Sequence, residues 1–547
     1  MSVDSPIVQV AQGTLRGIES AQSRRFLNIP YADTTQRWKP PAVPPPKWDG
    51  VRDATEFGNI CHQPHRLIFD GVPPFEPETQ PMSEDCLNLN VYTPPPHRIA
   101  VSNLLLPVMV WIHGGSFSIG SNSTPGYRAD QVVADYDVVI VTVNYRLGIF
   151  GFYASDNLRE EAKANKTGYG NYGLLDQAAA IEWVAANISA FGGDPSRITI
   201  FGESAGGMSV HYLCLYAPHL PIKRAIMQSG TGFGLPPGTV SGFAHFHTHL
   251  KTVTGARTSS DLRAVPGDKL QKILDEYQAS AGPGKGLSWK PTLDADVPNG
   301  LVKHRGPSGT WNPNVEAVII GDTDDEGLYF AHALLGSTGY TPARLESIYP
   351  PIIAPFLKSH YGPMYADGTE ESVKRTAALV FSEMFQVGSR MAMDSLENKV
   401  KVFAFRFAAT CKAAEDRGLG ACHAVDMPYT FNHKSTLRPH ELPVARALLS
   451  NWVHFAATGS PLPSWERYTR DHPRMLLFES GDTPTRMVHR DQGKNFDASG
   501  VRLWGRIHSV PGWIGWFAEH LWHIGGAVVL ALGVSLFAGL YSTRNSR

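Results

Sequence analysis

Cysteine is scarce in this sequence, with five residues in a chain of 547. A sparse, odd-numbered set does not provide a disulfide framework for a small domain. Two pairs lie close along the chain, Cys61 with Cys86 and Cys411 with Cys422, but neither has the spacing of a zinc site. His423 beside Cys422 does not complete one. We therefore expect no metal centre.

A surplus of charge of either sign is also missing. Lysine and arginine total 49, and aspartate and glutamate total 50. Proteins that bind nucleic acid or other polyanions usually carry a basic surplus, so we expect no nucleic-acid partner. The composition, 42% hydrophobic and 18% charged, is typical of a large globular chain with an extensive buried core.

Nearly continuous apolar runs alternate with helical patterns along the chain. Leu174–Phe191 has apolar residues at helical spacing and is followed by Gly192-Gly193-Asp194-Pro195, which ends the helix. Strand–helix–strand alternation predicts an α/β fold with a central, mostly parallel sheet flanked by helices. Nearly continuous apolar runs are typical of strands buried on both faces. The runs in this chain are Val108–Ile112, Val138–Val143, Ile198–Phe201, Ala317–Gly321 and Val402–Phe407.

The two ends of the chain differ. The opening residues lack a basic stretch followed by an apolar run, so no secretory signal is predicted. Near the other end, Ile524–Tyr541 is uncharged and, as a helix, would span about 27 Å, enough for a thin bilayer. A buried C-terminal helix is the alternative. The run is preceded by tryptophans of the kind favoured at membrane interfaces, Trp504, Trp513, Trp516 and Trp522.

We therefore predict a main α/β domain over 1–505, a linker or interfacial segment over 506–520, a transmembrane helix over 521–541 and a short tail over 542–547. Without an N-terminal signal, this arrangement predicts a tail anchor with the main domain facing the cytosol. An incomplete N-terminus would place the protein in the secretory pathway instead.

One serine lies in a strand–turn–helix context. The strand Ile198–Phe201 leads into Gly202-Glu203-Ser204-Ala205-Gly206, and a helix begins at Gly207. In so tight a turn, side chains two residues from the serine would collide with neighbouring backbone, so glycine is required there. This pattern predicts that Ser204 is a nucleophile; an ordinary structural turn is the alternative.

A serine needs a base, an orienting acid and an oxyanion hole to act as a nucleophile near neutral pH. Val108–Ile112 runs into His113-Gly114-Gly115-Ser116-Phe117. Glycines directly after a strand allow backbone N–H groups to turn toward a cleft, and the N–H of Ala205 supplies a further donor. These two loops therefore predict an oxyanion hole, with an ordinary Gly-Gly loop as the alternative.

Together these motifs resemble the type-B carboxylesterase/lipase family, which includes the cholinesterases and has the α/β-hydrolase fold. Phe26–Ala32 is similar to an early family segment, with Asn28 where glycine is usual. Ser83–Tyr92 resembles a second signature, and Gly202–Gly207 the nucleophile signature. The resemblance spans about residues 7–505. It implies a serine hydrolase that cleaves carboxylic esters without a cofactor.

The resemblance also assigns site residues. It implies an oxyanion hole of Gly115, Ser116 and Ala205, in which the Ser116 side chain replaces a common glycine and narrows the cleft. It identifies Glu326, in Gly321-Asp-Thr-Asp-Asp-Glu326-Gly327, as the acid. It identifies His423, ahead of an Asp-x-x-Tyr-x-Phe pattern, as the base.

Spacing alone leaves rivals for both roles. We expect the rival acids to form a solvated loop face, and no rival histidine lies in a comparable motif. The rival acids are Asp322, Asp324 and Asp325, and the rival bases include His332, His360, His433, His440 and His454.

The resemblance implies several supporting residues. Glu203 would tune the imidazolium, and Ser229 would form a hydrogen bond within the triad region. Arg37 and Glu84 occupy positions that form a salt bridge in the family. Cys61 and Cys86 occupy the positions of its first disulfide, which would need an oxidising compartment.

The implied reaction passes through an acyl-enzyme, on an ester that the sequence does not identify. A lipid, a xenobiotic or a natural-product ester would fit. The Cys61–Cys86 loop lacks the tryptophan that holds choline in cholinesterases by cation–π attraction, so a choline ester is not expected. A non-catalytic cholinesterase-like adhesion protein and an acyltransferase with the same triad remain as alternatives.

Overall fold

The computed structural model describes residues 5–33, 36–64, 80–99, 104–234, 237–281, 287–297, 299–303, 310–335, 339–347, 354–481, 483–492 and 503. Fourteen strands lie in this part of the chain: β1 Ile7–Val10, β2 Gly13–Arg16, β3 Ile18–Glu19, β4 Arg24–Pro30, β5 Val51–Asp53, β6 Asn88–Thr93, β7 Leu106–Ile112, β8 Val139–Val143, β9 Gly193–Glu203, β10 Arg224–Gln228, β11 Ala317–Thr323, β12 Lys401–Phe407, β13 Arg474–Phe478 and β14 Thr485–His489.

The α-helices of the same described residues are α1 Pro96–Ile99, α2 Asp130–Asp135, α3 Gly148–Phe152, α4 Asp156–Asn165, α5 Tyr172–Asn187, α6 Ala205–Tyr216, α7 Ala244–Thr254, α8 Ser259–Arg263, α9 Gly267–Ala281, α10 Glu326–Leu335, α11 Pro342–Ser347, α12 Ala354–Tyr361, α13 Glu370–Leu396, α14 Lys412–Glu415, α15 Met427–Thr430 and α16 Leu442–Thr458. Short 3₁₀ helices lie at Pro125–Tyr127, Ile188–Phe191, Val240–Phe243 and Gly362–Tyr365.

A large mixed sheet organises the described residues. Its eleven strands follow the order β14-β13-β12-β11-β10-β9-β7-β8-β6-β4-β3, and β1, β2 and β5 form a separate small sheet. The pairings from β13 through β8 are parallel, whereas those toward both edges are antiparallel. The predicted α/β fold with a central, mostly parallel sheet is confirmed.

The hydrophobic core covers both faces of this sheet. Along β7, Val108, Val110 and Ile112 belong to one buried cluster, and Met109 and Trp111 belong to another. Successive side chains of a strand point to opposite faces, so an uninterrupted apolar run is required where both faces are covered. The apolar runs predicted from the sequence as strands lie within, or one residue longer than, β7, β8, β9, β11 and β12.

The parallel centre brings several strand ends together. Strands β7, β9, β10 and β11 are neighbours, and their carboxyl ends therefore open at the same edge of the sheet. In open α/β sheets, this edge is where ligands usually bind.

The predicted membrane helix, 521–541, lies outside the described residues. Within the described part of the chain, none of the helices combines the length and the apolar character needed to cross a bilayer.

Candidate active site

Ser204 lies on a sharp turn between β9 and α6. Its backbone has φ 56° and ψ −124°, a positive φ that non-glycine residues rarely adopt. The flanking glycines permit this turn. A Cβ on Gly206 would lie 2.0 Å from the carbonyl oxygen of Ile112, and one on Gly202 would lie 2.5 Å from the carbonyl carbon of Gly206. The close approach predicted from the sequence motif is confirmed.

The loop that follows β7 passes next to Ser204. A Cβ on Gly114 would lie 3.1 Å from the Cβ of Ser204. Gly115 has φ 100°, and Ser116 has φ 54°. Within the described residues, the N–H groups of Gly115, Ser116 and Ala205 form no hydrogen bond. The loop thus leaves two unpaired donors and the start of α6 leaves a third, with the Ser116 side chain exposed.

His113 anchors this loop at its start. Its ring stacks on Tyr145 at a centroid distance of 4.4 Å, and the Tyr145 hydroxyl donates to the His113 carbonyl oxygen at 2.8 Å. The ring nitrogen Nδ1 lies 2.9 Å from the carbonyl oxygen of Gly114. Burial lowers the pKa of His113 to about 4, so the imidazole stays neutral near neutral pH.

Glu326 and His423 form a buried pair at the same edge of the sheet. Oε2 of Glu326 lies 2.5 Å from Nδ1 of His423. The other carboxylate oxygen of Glu326, Oε1, accepts a hydrogen bond from the N–H of Thr323 at 2.8 Å. Burial raises the pKa of Glu326, but the charge and hydrogen bond of His423, with help from Ser229, bring it below its usual range. The hydroxyl of Ser229 lowers the pKa of Glu326 through its proximity, although it forms no well-aligned hydrogen bond with any described residue.

The loop that carries His423 is fastened to the loop that carries Glu326. The N–H of Asp325 donates to the carbonyl oxygen of Ala421 at 2.9 Å, and the N–H of Ala421 donates to Oδ2 of Asp325 at 3.1 Å. The two loops are separated by about a hundred residues in sequence, and this reciprocal pair sets their distance.

The rival carboxylates do not form the solvated face that the sequence suggested, and even Asp324, the least buried of the three, is 13% exposed and lies 3.5 Å from Arg406. Asp322 is 1% exposed and Asp325 is 4% exposed. Asp325 accepts a hydrogen bond from the N–H of Ala421, in the loop that carries His423, and Asp322 accepts a hydrogen bond from Ser389. That expectation was wrong because these aspartates bind neighbouring elements rather than water. Among the rival bases, His433 and His454 bond backbone carbonyl groups away from Glu326.

Glu203 provides a second carboxylate for the imidazole. Its Oε1 lies 3.0 Å from Nε2 of His423, and both residues are buried. Burial raises the pKa of Glu203 to about 8. Burial alone would lower the pKa of His423, but the negative charges of Glu203 and Glu326 raise it to about 9. Within the described residues, no hydrogen bond joins Nε2 to the hydroxyl of Ser204.

Aromatic rings surround the imidazole. The ring centroids of Phe330 and Phe385 each lie 4.8 Å from that of His423, and that of Tyr329 lies 6.0 Å away. Asp426, three residues after the histidine, is fully buried and accepts a hydrogen bond from Gln228 at 2.7 Å. Sequence reasoning assigned no role to Phe330, Phe385 or Asp426; only Asp426 stood in a quoted motif.

The predicted salt bridge and the predicted disulfide lie away from Ser204, Glu326 and His423. Arg37 Nη2 lies 2.5 Å from Glu84 Oε1, so the predicted salt bridge is confirmed. Cys61 and Cys86 are both free and buried. A hydrogen bond from Cys61 raises the pKa of the Cys86 thiol, so the two side chains are close. The predicted disulfide is therefore not formed in this structure, although the side chains are neighbours.

The Carboxylesterase family model matches residues 4–497 of this chain. The chain belongs to the carboxylesterase family. A para-nitrobenzyl esterase from Bacillus subtilis is 30% identical over 494 residues, covering 87% of this chain and 95% of its own length. A phenmedipham hydrolase from Pseudarthrobacter oxydans is 31% identical over 506 residues, covering 87% of this chain and 95% of its own length.

The likeness extends to a mammalian relative and to solved structures. An acylcarnitine hydrolase from Mus musculus is 30% identical over 511 residues, covering 85% of each chain. A solved PNB esterase structure superposes with a TM-score of 0.72 at 28% identity, covering 91% of this chain and 99% of the other. The protein is therefore a carboxylic ester hydrolase with the α/β-hydrolase fold, not the non-catalytic adhesion protein that the sequence left open.

Proposed function

We propose that this carboxylesterase works by two-step acyl transfer, with Ser204 as nucleophile, His423 as general base and Glu326 as the acid that orients it. The observation that carries the proposal is the 2.5 Å contact between Glu326 Oε2 and His423 Nδ1 beside the Ser204 turn. Because Nδ1 donates to the carboxylate, Nε2 is left to accept a proton.

In the first step, Ser204 attacks the ester carbonyl carbon and gives its proton to Nε2 of His423. Nε2 must turn from Glu203 toward the hydroxyl of Ser204, and such hydrogen bonds often tighten only when substrate binds. The N–H groups of Gly115, Ser116 and Ala205 would hold the oxyanion. Each such donor contributes about 3 kcal/mol to transition-state stabilisation.

The first step ends when the imidazolium of His423 donates its proton to the leaving oxygen, which departs as the alcohol, and the acyl group stays on Ser204. In the second step, a water molecule gives a proton to His423 and attacks the acyl carbon. His423 then returns this proton to Oγ of Ser204 as the acyl–oxygen bond breaks and the acid is released. Glu326 and Glu203 stabilise the imidazolium that forms in each half of the reaction, because both carboxylates raise the pKa of His423.

The proposed substrate is an uncharged ester of a lipid, a xenobiotic or a natural product. The leaving oxygen must reach His423, whose ring is lined by Phe330, Phe385 and Tyr329. Apolar rings favour an apolar alcohol over a strongly hydrated one. The Cys61–Cys86 loop contains no tryptophan to hold choline.

A series of nitrophenyl esters with acyl chains of rising length tests the mechanism and narrows the substrate. We expect Ser204→Ala and His423→Gln to lower kcat by a factor of about 10⁴ or more. His454→Gln serves as a control, because His454 bonds the carbonyl oxygen of Ser460 outside the site. Undiminished hydrolysis by purified Ser204→Ala protein would contradict the proposal.

We also propose that the segment 521–541 anchors the protein in a membrane with the main domain facing the cytosol. The support comes from the uncharged run Ile524–Tyr541 and the tryptophans that precede it.

A further inference from the structure

The long helix α13 packs one face against the proposed acid and base. Ser382, Phe385 and Ser389 are spaced three and four residues apart, so their side chains lie on the same side of the helix. Ser382 and Phe385 contact the Glu326 and His423 region, and Ser389 contacts the end of β11. All three side chains are buried.

Ser382 holds the residue after the acid. Its hydroxyl accepts the N–H of Gly327 at 2.9 Å. This N–H lies in the first turn of α10, where helix donors have no partner within the helix. The helices α10 and α13 approach each other very closely here, since a Cβ on Gly327 would lie 1.8 Å from the carbonyl oxygen of Ala378. The position of α10, which begins with Glu326, is therefore set against α13.

Ser389 holds the other side of the acid. Its hydroxyl donates to Oδ1 of Asp322 at 2.5 Å. Asp322 precedes Thr323, whose N–H donates to Oε1 of Glu326 at 2.8 Å. Fixing Asp322 therefore fixes the backbone donor that orients the Glu326 carboxylate.

Asp322 is enclosed by other groups that limit its movement. It lies opposite Arg406 in the register of β11 and β12, and Arg406 is 2% exposed. Burial, with a smaller contribution from the charge of Glu326, raises the pKa of Asp322 to about 6, although Arg406, Ser389 and Arg390 each lower it. The hydroxyl of Ser389 thus helps to keep this carboxyl ionised and in place.

We infer that Ser382 and Ser389 are positioning residues, which hold Glu326 from both sides so that its carboxylate stays aligned with Nδ1 of His423. This inference rests on the proposed triad. Neither serine touches the reacting atoms, and both act through Glu326. The direct contacts of Glu326 with the Thr323 N–H, His423 and Ser229 depend on where the backbone of β11 and α10 lies, and small misplacements of catalytic groups cost large factors in rate.

Alanine variants of the two serines test the inference. We expect Ser382→Ala and Ser389→Ala to lower kcat per active site by about tenfold, with KM little changed. A loosened Glu326 would also raise the pKa of His423 less, so the acidic limb of the kcat/KM profile should move to lower pH. Titration with a fluorophosphonate counts the reactive sites and corrects for misfolded protein.

Ser395→Ala is the matched control, because Ser395 lies on α13 but its hydroxyl bonds the carbonyl oxygen of Ala392 in the same helix. We expect this control to leave the rate and the acidic limb unchanged. Ser389→Thr keeps a hydroxyl, so the acidic limb of its kcat/KM profile should lie at the same pH as in the wild-type protein.

Two contrary results would point to different errors. If both alanine variants keep the wild-type kcat per site and acidic limb while Ser204→Ala is inactive, the positioning role is wrong and the proposed mechanism stands. If Ser204→Ala remains active, the proposed function itself is wrong.

Discussion

At the scale of single residues, the unusual feature of this site is an imidazole between two buried carboxylates. Glu326 contacts Nδ1 of His423, and Glu203 lies 3.0 Å from Nε2. Both charges favour the imidazolium and raise the pKa of His423 to about 9 against the effect of burial. A base with so high a pKa is protonated at neutral pH, and only the neutral form accepts the Ser204 proton. Activity should therefore rise with pH above neutrality.

Glu203→Gln tests this account of the imidazole. The substitution removes one of the two charges that raise the pKa of His423, so the acidic limb of the kcat/KM profile should move to lower pH. A pH profile with a nitrophenyl ester measures the shift. Glu182→Gln, which removes an exposed carboxylate near His219, is the charge-matched control. An acidic limb that stays in place in Glu203→Gln would contradict the role of Glu203.

At the scale of elements, the strand ends set the site. Strands β7 and β9 end at Ile112 and Glu203, directly before the proposed oxyanion-hole loop and Ser204, and β11 ends three residues before Glu326. Their parallel register places these ends at the same edge. The turn after β9 is possible because glycine backbones meet there without side chains.

Gly206→Ala tests the packing of this turn. Its Cβ would lie 2.0 Å from the carbonyl oxygen of Ile112, so either β7 or the turn must move. We expect a loss of several kcal/mol in unfolding free energy and the loss of ester hydrolysis, measured by denaturant unfolding and by activity. Gly242→Ala is the control, because a Cβ there meets no atom within 4 Å. Wild-type stability in Gly206→Ala would contradict the steric argument.

Much of this element-scale picture could be predicted from sequence, because the relevant signals are local. The strand before Ser204, the helix after it and the glycines around it are contiguous in the chain. Ser382 and Ser389 could not be found in this way. They lie more than fifty residues beyond Glu326, and a serine in a helix carries no pattern that marks a tertiary hydrogen bond.

The environment of the aspartates beside Glu326 was mispredicted for the same reason. A run rich in aspartate suggests a solvated loop. Whether Asp322 and Asp325 are buried depends on Ser389 and Ala421, which come from distant elements. The predicted disulfide depended on the family resemblance, and the structure instead holds Cys61 and Cys86 as free thiols.

At the scale of the whole molecule, one chain combines a large α/β-hydrolase body with an apolar C-terminal run. The family match ends at residue 497, and the apolar run Ile524–Tyr541 lies beyond it. The body therefore supplies the chemistry, and the proposed anchor would place that chemistry beside a lipid phase.

Deletion of residues 510–547 tests the proposed anchor. We expect the full chain to fractionate with membranes and the shortened chain to remain in the soluble fraction with its kcat unchanged, because the site residues all precede the deletion. Centrifugal fractionation and a nitrophenyl ester assay measure both quantities. Identical fractionation of the two chains would contradict the anchor.

The central claim, that Ser204 is the nucleophile, is tested most directly by covalent trapping. A fluorophosphonate reacts with an activated serine and leaves a stable adduct that peptide mass spectrometry can locate. We expect one adduct per chain, on Ser204, with loss of ester hydrolysis in proportion to labelling and no adduct in Ser204→Ala. An adduct on another residue that removes the activity, or full labelling of Ser204 without loss of activity, would contradict it.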